Sequence, residues 1–382
     1  MSTPAPLTLN RRQWLISSGA ALAGLALSSR FLSEELRAQV SPERLGATLP
    51  VKARLSLNEN PFGPSPAALE AMLRNLNSGR ACRYPYGEVN ELIALISKKE
   101  GVAPEQIVLG IGSSEILETV GLQFGLLKGE VIYAVPGYSQ LAKAVETAGG
   151  SIATVPLNAR LEHDLDAMAS KVRPQTSVVY VANPNNPTGT TVDSAALKEF
   201  VRSVSAKTFV FVDEAYLDIA DDYAGRTVVG MVNTTPNLLV ARTFSKIFGL
   251  AGMRIGYGVT NAKFAAQLRN YGLGTLTGPS IAAATASLKD VGYVAATREK
   301  IVSERAKLLE LLRQLGRNYA ESQTNFVFFH TGRPHKEVFD KMMAESVAIA
   351  RPFPPMLDWA RISIGLPEEN ELARAALRKV LA

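Results

Sequence analysis

The sequence predicts an α/β protein with a mainly parallel sheet flanked by helices, followed by a smaller α+β part. Three observations carry this expectation. Between residues 106 and 241, short runs rich in Val and Ile alternate with helical patterns, as in βαβ units. Past about residue 275 the alternation stops, and a long helical pattern leads into isolated strands. The chain has 382 residues, 47% hydrophobic and 20% charged, which suits a folded protein of about two domains.

The elements follow in order. Residues 66–76 and 88–99 read as helices, the second with Val89, Leu92, Ile93 and Ile96 at helical spacing. Strands are expected over 106–109, 130–135, 151–155, 178–182, 209–212 and 238–241. Helices lie between most of them, over 114–124, 141–148 and 194–203. The later part reads as a helix over 294–315, a strand over 324–329, a helix over 336–345, and strands over 347–350 and 360–364. Residues 81–274 are expected to form the large domain and 275–382 the small one. Residues 41–80 form an arm that contributes to the small domain.

The first forty residues are of another kind. Arg11-Arg12 precede an uncharged stretch from Gln13 to Ser29, mostly Ala, Leu, Gly and Ser, which Arg30 ends. A positive start, a short apolar segment and later small residues are the parts of an export signal. The paired arginines resemble the twin-arginine type. Residues 1–40 are therefore expected to be a signal and linker that engages the twin-arginine export machinery, with the mature protein periplasmic. That route carries proteins that are already folded.

Composition excludes several other classes. The net charge of +6 comes from scattered Lys and Arg, so no nucleic-acid partner is expected. One cysteine, Cys82, rules out an internal disulfide, and with only His163, His330 and His335 no metal site is expected.

The chemically loaded residues stand just after expected strands. Asn185-Asn186-Pro187-Thr188-Gly189 follows 178–182, and Asp213-Glu214-Ala215-Tyr216 follows 209–212. Thr243-Phe244-Ser245-Lys246 follows 238–241, with Arg254 eight residues beyond the lysine. The turn Gly110-Ile111-Gly112-Ser113-Ser114 joins 106–109 to a helix. A desolvated lysine beside a carbonyl forms a Schiff base. The pyridine ring of pyridoxal 5′-phosphate (PLP) needs an acid at its nitrogen to act as an electron sink, which Asp213 supplies. Its phosphate wants a helix N-terminus and an arginine, which the Gly110–Ser114 turn, Ser245 and Arg254 supply. Its O3′ wants donors, which Asn186 and Tyr216 offer.

In this order the motifs resemble the fold-type I aminotransferases, in particular the histidinol-phosphate aminotransferase branch. The matching stretches are Leu57-Asn58-Glu59-Asn60-Pro61-Phe62-Gly63, Arg83-Tyr84-Pro85, Asn183-Pro184-Asn185-Asn186-Pro187-Thr188-Gly189, Val212-Asp213-Glu214-Ala215-Tyr216, Arg242-Thr243-Phe244-Ser245-Lys246, Gly252-Met253-Arg254-Ile255-Gly256-Tyr257 and Ala360-Arg361-Ile362-Ser363. The resemblance runs from about residue 50 to the C-terminus.

It implies the PLP-dependent transferase fold of type I and assigns roles by position. Lys246 would carry the cofactor and move the proton, Asp213 would pair with the ring nitrogen, and Asn186 and Tyr216 would contact O3′. Ser113, Ser114, Thr243, Ser245 and Arg254 would hold the phosphate. Tyr84 would reach the phosphate of a neighbouring subunit in a homodimer, and Tyr138 would stack on the ring. Arg361 would bind the substrate carboxylate as a fork, with Arg351 and Asn186 also near the substrate.

The sequence departs from the branch at Tyr86, where an acidic residue is common, and in the Pro-rich segment Pro352-Phe353-Pro354-Pro355. The expected reaction is amino transfer between an amino acid and a 2-oxo acid in two half-reactions. Histidinol-phosphate transamination proper, another PLP reaction such as decarboxylation, elimination or racemisation, and a non-catalytic binder remain alternatives.

Overall fold

The computed structural model describes residues 51–271 and 274–382. The expected export signal of residues 1–40 lies outside the described residues. Residues 51–382 form one compact unit by Cα proximity.

Its centre is a seven-stranded sheet of order β2-β8-β7-β6-β5-β3-β4. The strands are β2 (Ile107–Gly110), β3 (Glu130–Val135), β4 (Ser151–Pro156), β5 (Thr176–Ala182), β6 (Phe209–Asp213), β7 (Leu238–Thr243) and β8 (Gly256–Thr260). Five neighbours in a row, β7-β6-β5-β3-β4, pair parallel, while β8 runs antiparallel to both β7 and β2. The six sequence-derived strands of the large sheet are thus present with ends shifted by at most two residues. β8 was not anticipated: Gly256 and Gly258 dilute its strand propensity.

Apart from the edge strand β4, where Ser151, Thr154 and Pro156 are exposed, the sheet is buried on both faces, which is why most of its strands read as continuous apolar runs rather than alternating ones. Val210, Val212, Val179, Val181, Leu238 and Val240 point into one core, and Phe209, Phe211, Val178, Tyr180, Leu239 and Ala241 into the other. The second core is covered by the helices Gly112–Leu126 and Gln140–Thr147. These two pack at a distance that only glycine permits. A Cβ on Gly121 would lie 2.6 Å from Leu141 O, and one on Gly125 2.3 Å from Val145 O.

Side-chain caps fix helix starts. Ser65 accepts from Ala68 N at 3.1 Å ahead of Pro66–Asn77, and Asp193 from Ala196 N at 2.9 Å ahead of Ser194–Ser205.

A separate core lies around β9 (Phe326–His330) and β11 (Trp359–Ser363), which pair antiparallel, and β10 (Val347–Ala348), which pairs parallel with β1 (Ala53–Arg54). The long helix Val291–Gln314, the helix His335–Ala344 and a final helix Pro367–Leu381 cover it. The final helix and that at Gly278–Lys289 were not anticipated. The strand expected over 347–350 shortens to two residues.

Arg242 lies 1% exposed on the face of β7 opposite Thr243, with Glu214 at 2.7 Å, Asp218 at 3.6 Å and Glu100 at 3.7 Å. Burial opposes its charge, but Glu214 and Glu100 outweigh that and raise its pKa well above the ordinary value. Glu214 also accepts from Thr227 Oγ1 and Val228 N, each at 2.9 Å, so the pair is fully supported by hydrogen bonds on the carboxylate side. This ion pair ties the carboxyl ends of β6 and β7 from below.

Candidate active site

Three parallel strands end side by side and deliver the chemistry. In register, Ala182 of β5 faces Asp213 of β6, which faces Ala241 of β7. By the twofold alternation of side chains, Phe211 and Asp213 share one face of β6, and Tyr180 lies on the same face of β5. Tyr180 Oη therefore reaches along that face and donates to Asp213 Oδ2 at 2.9 Å, while Ala215 N donates to Oδ1 at 3.1 Å. Asp213 is 5% exposed. Burial pushes its carboxyl up to about 6, against the opposing pull of the two donors and of Lys246. A fully buried carboxylate of this kind suits a cationic partner, and a protonated ring nitrogen is one.

Lys246 follows β7. Its Nζ donates to Asn58 O at 3.2 Å and stands 5.3 Å from the centre of the Tyr216 ring. Tyr216 lies at the end of β6, edge-on to Phe326 and with its hydroxyl accepting from Asn58 Nδ2 at 3.1 Å. Tyr138 faces the same space: its pKa is pushed up to about 12 by burial and by the nearby Asp213 and Tyr216. Its hydroxyl bonds Gln140 and Ser114.

One end of the pocket is built for an anion. Gly112, at φ +72°, opens the 15-residue helix Gly112–Leu126, with Ser113 and Ser114 in its first turn. A Cβ at Gly112 would lie 2.4 Å from Arg254 Nη2, so the glycine lets the guanidinium close in on the helix N-terminus. Arg254 itself is exposed, with Nη1 on Ala251 O at 2.9 Å. Thr243 and Ser245 join each other beside it: Thr243 Oγ1 donates to Ser245 Oγ at 3.0 Å and accepts from Ser245 N at 3.1 Å.

At the other end stands Arg361 of β11, 6% exposed. It donates to Asn186 Oδ1 and to Ser56 O, each at 2.6 Å, and its Nε has no partner. Its guanidinium carbon lies 4.9 Å from the Phe353 ring and 5.3 Å from that of Phe326. Burial lowers its pKa to about 10, Arg351 pulling the same way, so it stays a cation at neutral pH. Arg351 is exposed and lies 4.7 Å from the same Phe353 ring. The two arginines thus flank one aromatic ring.

The structure brings together Lys246, Asp213, Tyr216, Tyr138, Asn186 and Arg361, with Ser113, Ser114, Thr243, Ser245 and Arg254 at the anion end. Tyr84 stands apart, 72% exposed and stacked on Tyr86 at 5.8 Å. Three participants escaped sequence reasoning. Tyr180 was counted as an apolar strand residue, although its parity with Asp213 could have shown it. Asn58 and Ser363 lay inside recognised motifs but had no partner visible along the chain. Their contact spans 305 residues, with Ser363 Oγ on Asn58 Oδ1 at 2.9 Å.

These residues fit PLP. A lysine amine, a buried carboxylate, two O3′ candidates in Asn186 and Tyr216, and a glycine-opened helix end beside an arginine answer its aldehyde, ring nitrogen, hydroxyl and phosphate.

The profile of the family "Aminotransferase class I and II" matches residues 50–377. The histidinol-phosphate aminotransferase of Limosilactobacillus fermentum is 37% identical over 328 residues, covering 85% of this chain and 89% of that protein. Histidinol-phosphate aminotransferase 2 of Methylococcus capsulatus is 38% identical over 339 residues, covering 86% and 90%. The crystal structure of histidinol-phosphate aminotransferase from Sinorhizobium meliloti with pyridoxal-5′-phosphate superposes with a TM-score of 0.81 at 28% identity, covering 90% of this chain and 94% of that one. The chain belongs to the class I and II aminotransferases, and is a PLP-dependent enzyme of fold type I that transfers amino groups.

Proposed function

We propose that this aminotransferase works through Lys246, with an amino donor or acceptor whose anion is held by Arg361. The observation that carries the reading is the meeting of Lys246, Asp213, Tyr216, Asn186 and Arg361 in one pocket. PLP, when bound, supplies the electron sink. Asp213 keeps the ring nitrogen protonated, Tyr216 and Asn186 hold O3′, and the helix end at Gly112 with Ser113, Ser114, Thr243, Ser245 and Arg254 holds the phosphate. Tyr138 would lie against the ring. Lys246 Nζ would hold the cofactor and would carry the substrate carbon's proton. Arg361 exchanges its bonds to Asn186 and Ser56 for the substrate's anion, its unpartnered Nε completing a fork.

The names of the relatives make histidinol phosphate one candidate donor, with a 2-oxo acid as the acceptor. A second cation, Arg351, beside Arg361 suits a doubly charged group. The test is a spectrophotometric screen of amino compounds against the PLP form, followed by product analysis. Conversion to the pyridoxamine form with release of an oxo compound or aldehyde is expected. Carbon dioxide release, elimination or racemisation without that conversion would overturn amino transfer through this site.

The functional unit is a homodimer in which Tyr84 reaches across. The exposed stripe Leu69, Leu73 and Leu76, 49–51% exposed along the helix Pro66–Asn77, supports an apolar contact between subunits.

The protein is exported folded by the twin-arginine route to the periplasm. Support comes from Arg11-Arg12 ahead of the uncharged stretch 13–29, whose mild hydrophobicity is poor for a membrane anchor. Replacing both arginines with Lys is expected to retain active, full-length protein in the cytoplasm, read by fractionation. Wild-type protein confined to the cytoplasm, or export untouched by the change, would overturn this.

A further inference from the structure

Asn58 is buried to 1% exposure, and five hydrogen bonds converge on it. Its backbone sits at φ +56°, in the left-handed region that Asn tolerates better than most residues. Its carbonyl accepts from Lys246 Nζ at 3.2 Å and from Asn325 Nδ2 at 3.0 Å. Its N–H donates to Ser363 Oγ at 2.8 Å, and Ser363 Oγ donates back to its Oδ1 at 2.9 Å. That reciprocal pair settles which way the amide points: were it turned over, the serine proton would lose its acceptor. With Oδ1 fixed on Ser363, Nδ2 must face Tyr216, and it does, at 3.1 Å from the hydroxyl.

The consequence lies in the hydroxyl's single proton. A phenol that accepts from Asn58 cannot also spend its proton on Asn58, so its O–H is free to donate elsewhere. The proton is thereby directed into the pocket shared with Lys246.

We propose that Asn58 is a positioning residue that sets the polarity of Tyr216, making it a hydrogen-bond donor to the cofactor's O3′, and that Ser363 sets Asn58 in turn. This rests on the reading that Tyr216 contacts O3′. With PLP bound, donation to O3′ would draw off its negative charge, so the nitrogen that Lys246 contributes would hold its proton less tightly. Losing the donation makes that nitrogen more basic.

The experiment titrates the visible absorbance of the PLP-loaded protein with pH, for wild type and four variants, alongside thermal unfolding of each cofactor-free protein. Asn58→Asp puts an acceptor where the donor stood, so the Tyr216 proton turns towards it. Its titration is expected to move up by about one pH unit, the effect of one hydrogen bond to a charged group. Tyr216→Phe is expected to move it up by a similar amount. The double variant is expected to show no further shift, since both changes remove one donation. Ser363→Ala, which touches neither Tyr216 nor Lys246, frees the amide and is expected to shift it the same way by less; it also serves if Asn58→Asp does not fold. A shift in Tyr216→Phe with none in folded Asn58→Asp or in Ser363→Ala overturns the role of Asn58. So does full additivity in the double variant, which would mean that the aspartate acts by charge alone. No shift in Tyr216→Phe instead overturns the placement of Tyr216 on O3′.

Discussion

Lys246→Ala is expected to remove the visible absorbance of the bound cofactor and to lower turnover by at least roughly 10³-fold. On the proposed assignment the variant would lose both the covalent hold on PLP and the proton carrier, and general acid–base catalysis alone is commonly worth roughly 10²–10⁴-fold. Among the described residues, Lys246 Nζ is the lysine nitrogen lying over the Tyr216 ring, tethered to Asn58 O. The same variant tests the dimer. Mixed one to one with Tyr84→Phe under subunit exchange, half the dimers are hybrids. One of the two sites in each hybrid has both residues intact. Roughly a quarter of wild-type site activity should therefore return if each pocket is shared between two subunits. Wild-type turnover in Lys246→Ala would sink the assignment of the lysine. No recovery in demonstrated hybrids, with Tyr84→Phe itself clearly impaired, would sink that of Tyr84.

Asp213→Asn is expected to retain PLP while losing roughly 10²–10³-fold in turnover, the usual cost of one charge-stabilising group in a buried site. The amide keeps the shape and can still bond Tyr180 and Ala215 N, but it cannot hold the ring nitrogen protonated. The cofactor-free protein should respond in the opposite sense. In the folded chain the Asp213 carboxyl titrates near 6, raised from its ordinary 3.8 by burial. The folded state therefore holds the proton more tightly than the unfolded chain, and ionisation costs stability. That loss is absent below pH 3.8, grows as pH rises, and is complete above about 6. The cofactor-free Asn variant should thus be more stable than cofactor-free wild type at neutral pH, and the advantage should fade on acidification. Thermal unfolding across pH checks this. Unchanged turnover would show that another group serves the ring nitrogen.

The sequence by itself determined six strands of the large sheet and which polar residues stand at its carboxyl edge. Strands buried on both faces read as short apolar runs, and the edge strand β4 still carries Ile and Val, so six of seven were visible. The residues that follow them fall at the carboxyl ends, where loops face a ligand. Asp213, Lys246 and Asn186 were legible because each stands within four residues of a strand end. Arg254 and the Gly112 turn were legible because a helix start needs those residue types for an anion. β8 was hidden because glycines carry no strand signal, and it is held instead by pairing with two neighbours. What only the tertiary structure decided are the contacts between segments far apart in the chain. Tyr180 reaches Asp213 across 33 residues, Arg361 meets Asn186 across 175, and Asn58 meets Ser363 across 305. Local pattern reports propensity and burial, both properties of neighbours in sequence. Which buried polar groups satisfy one another is fixed only when the chain closes, because each unpaired group then costs free energy and the fold is selected to pair it.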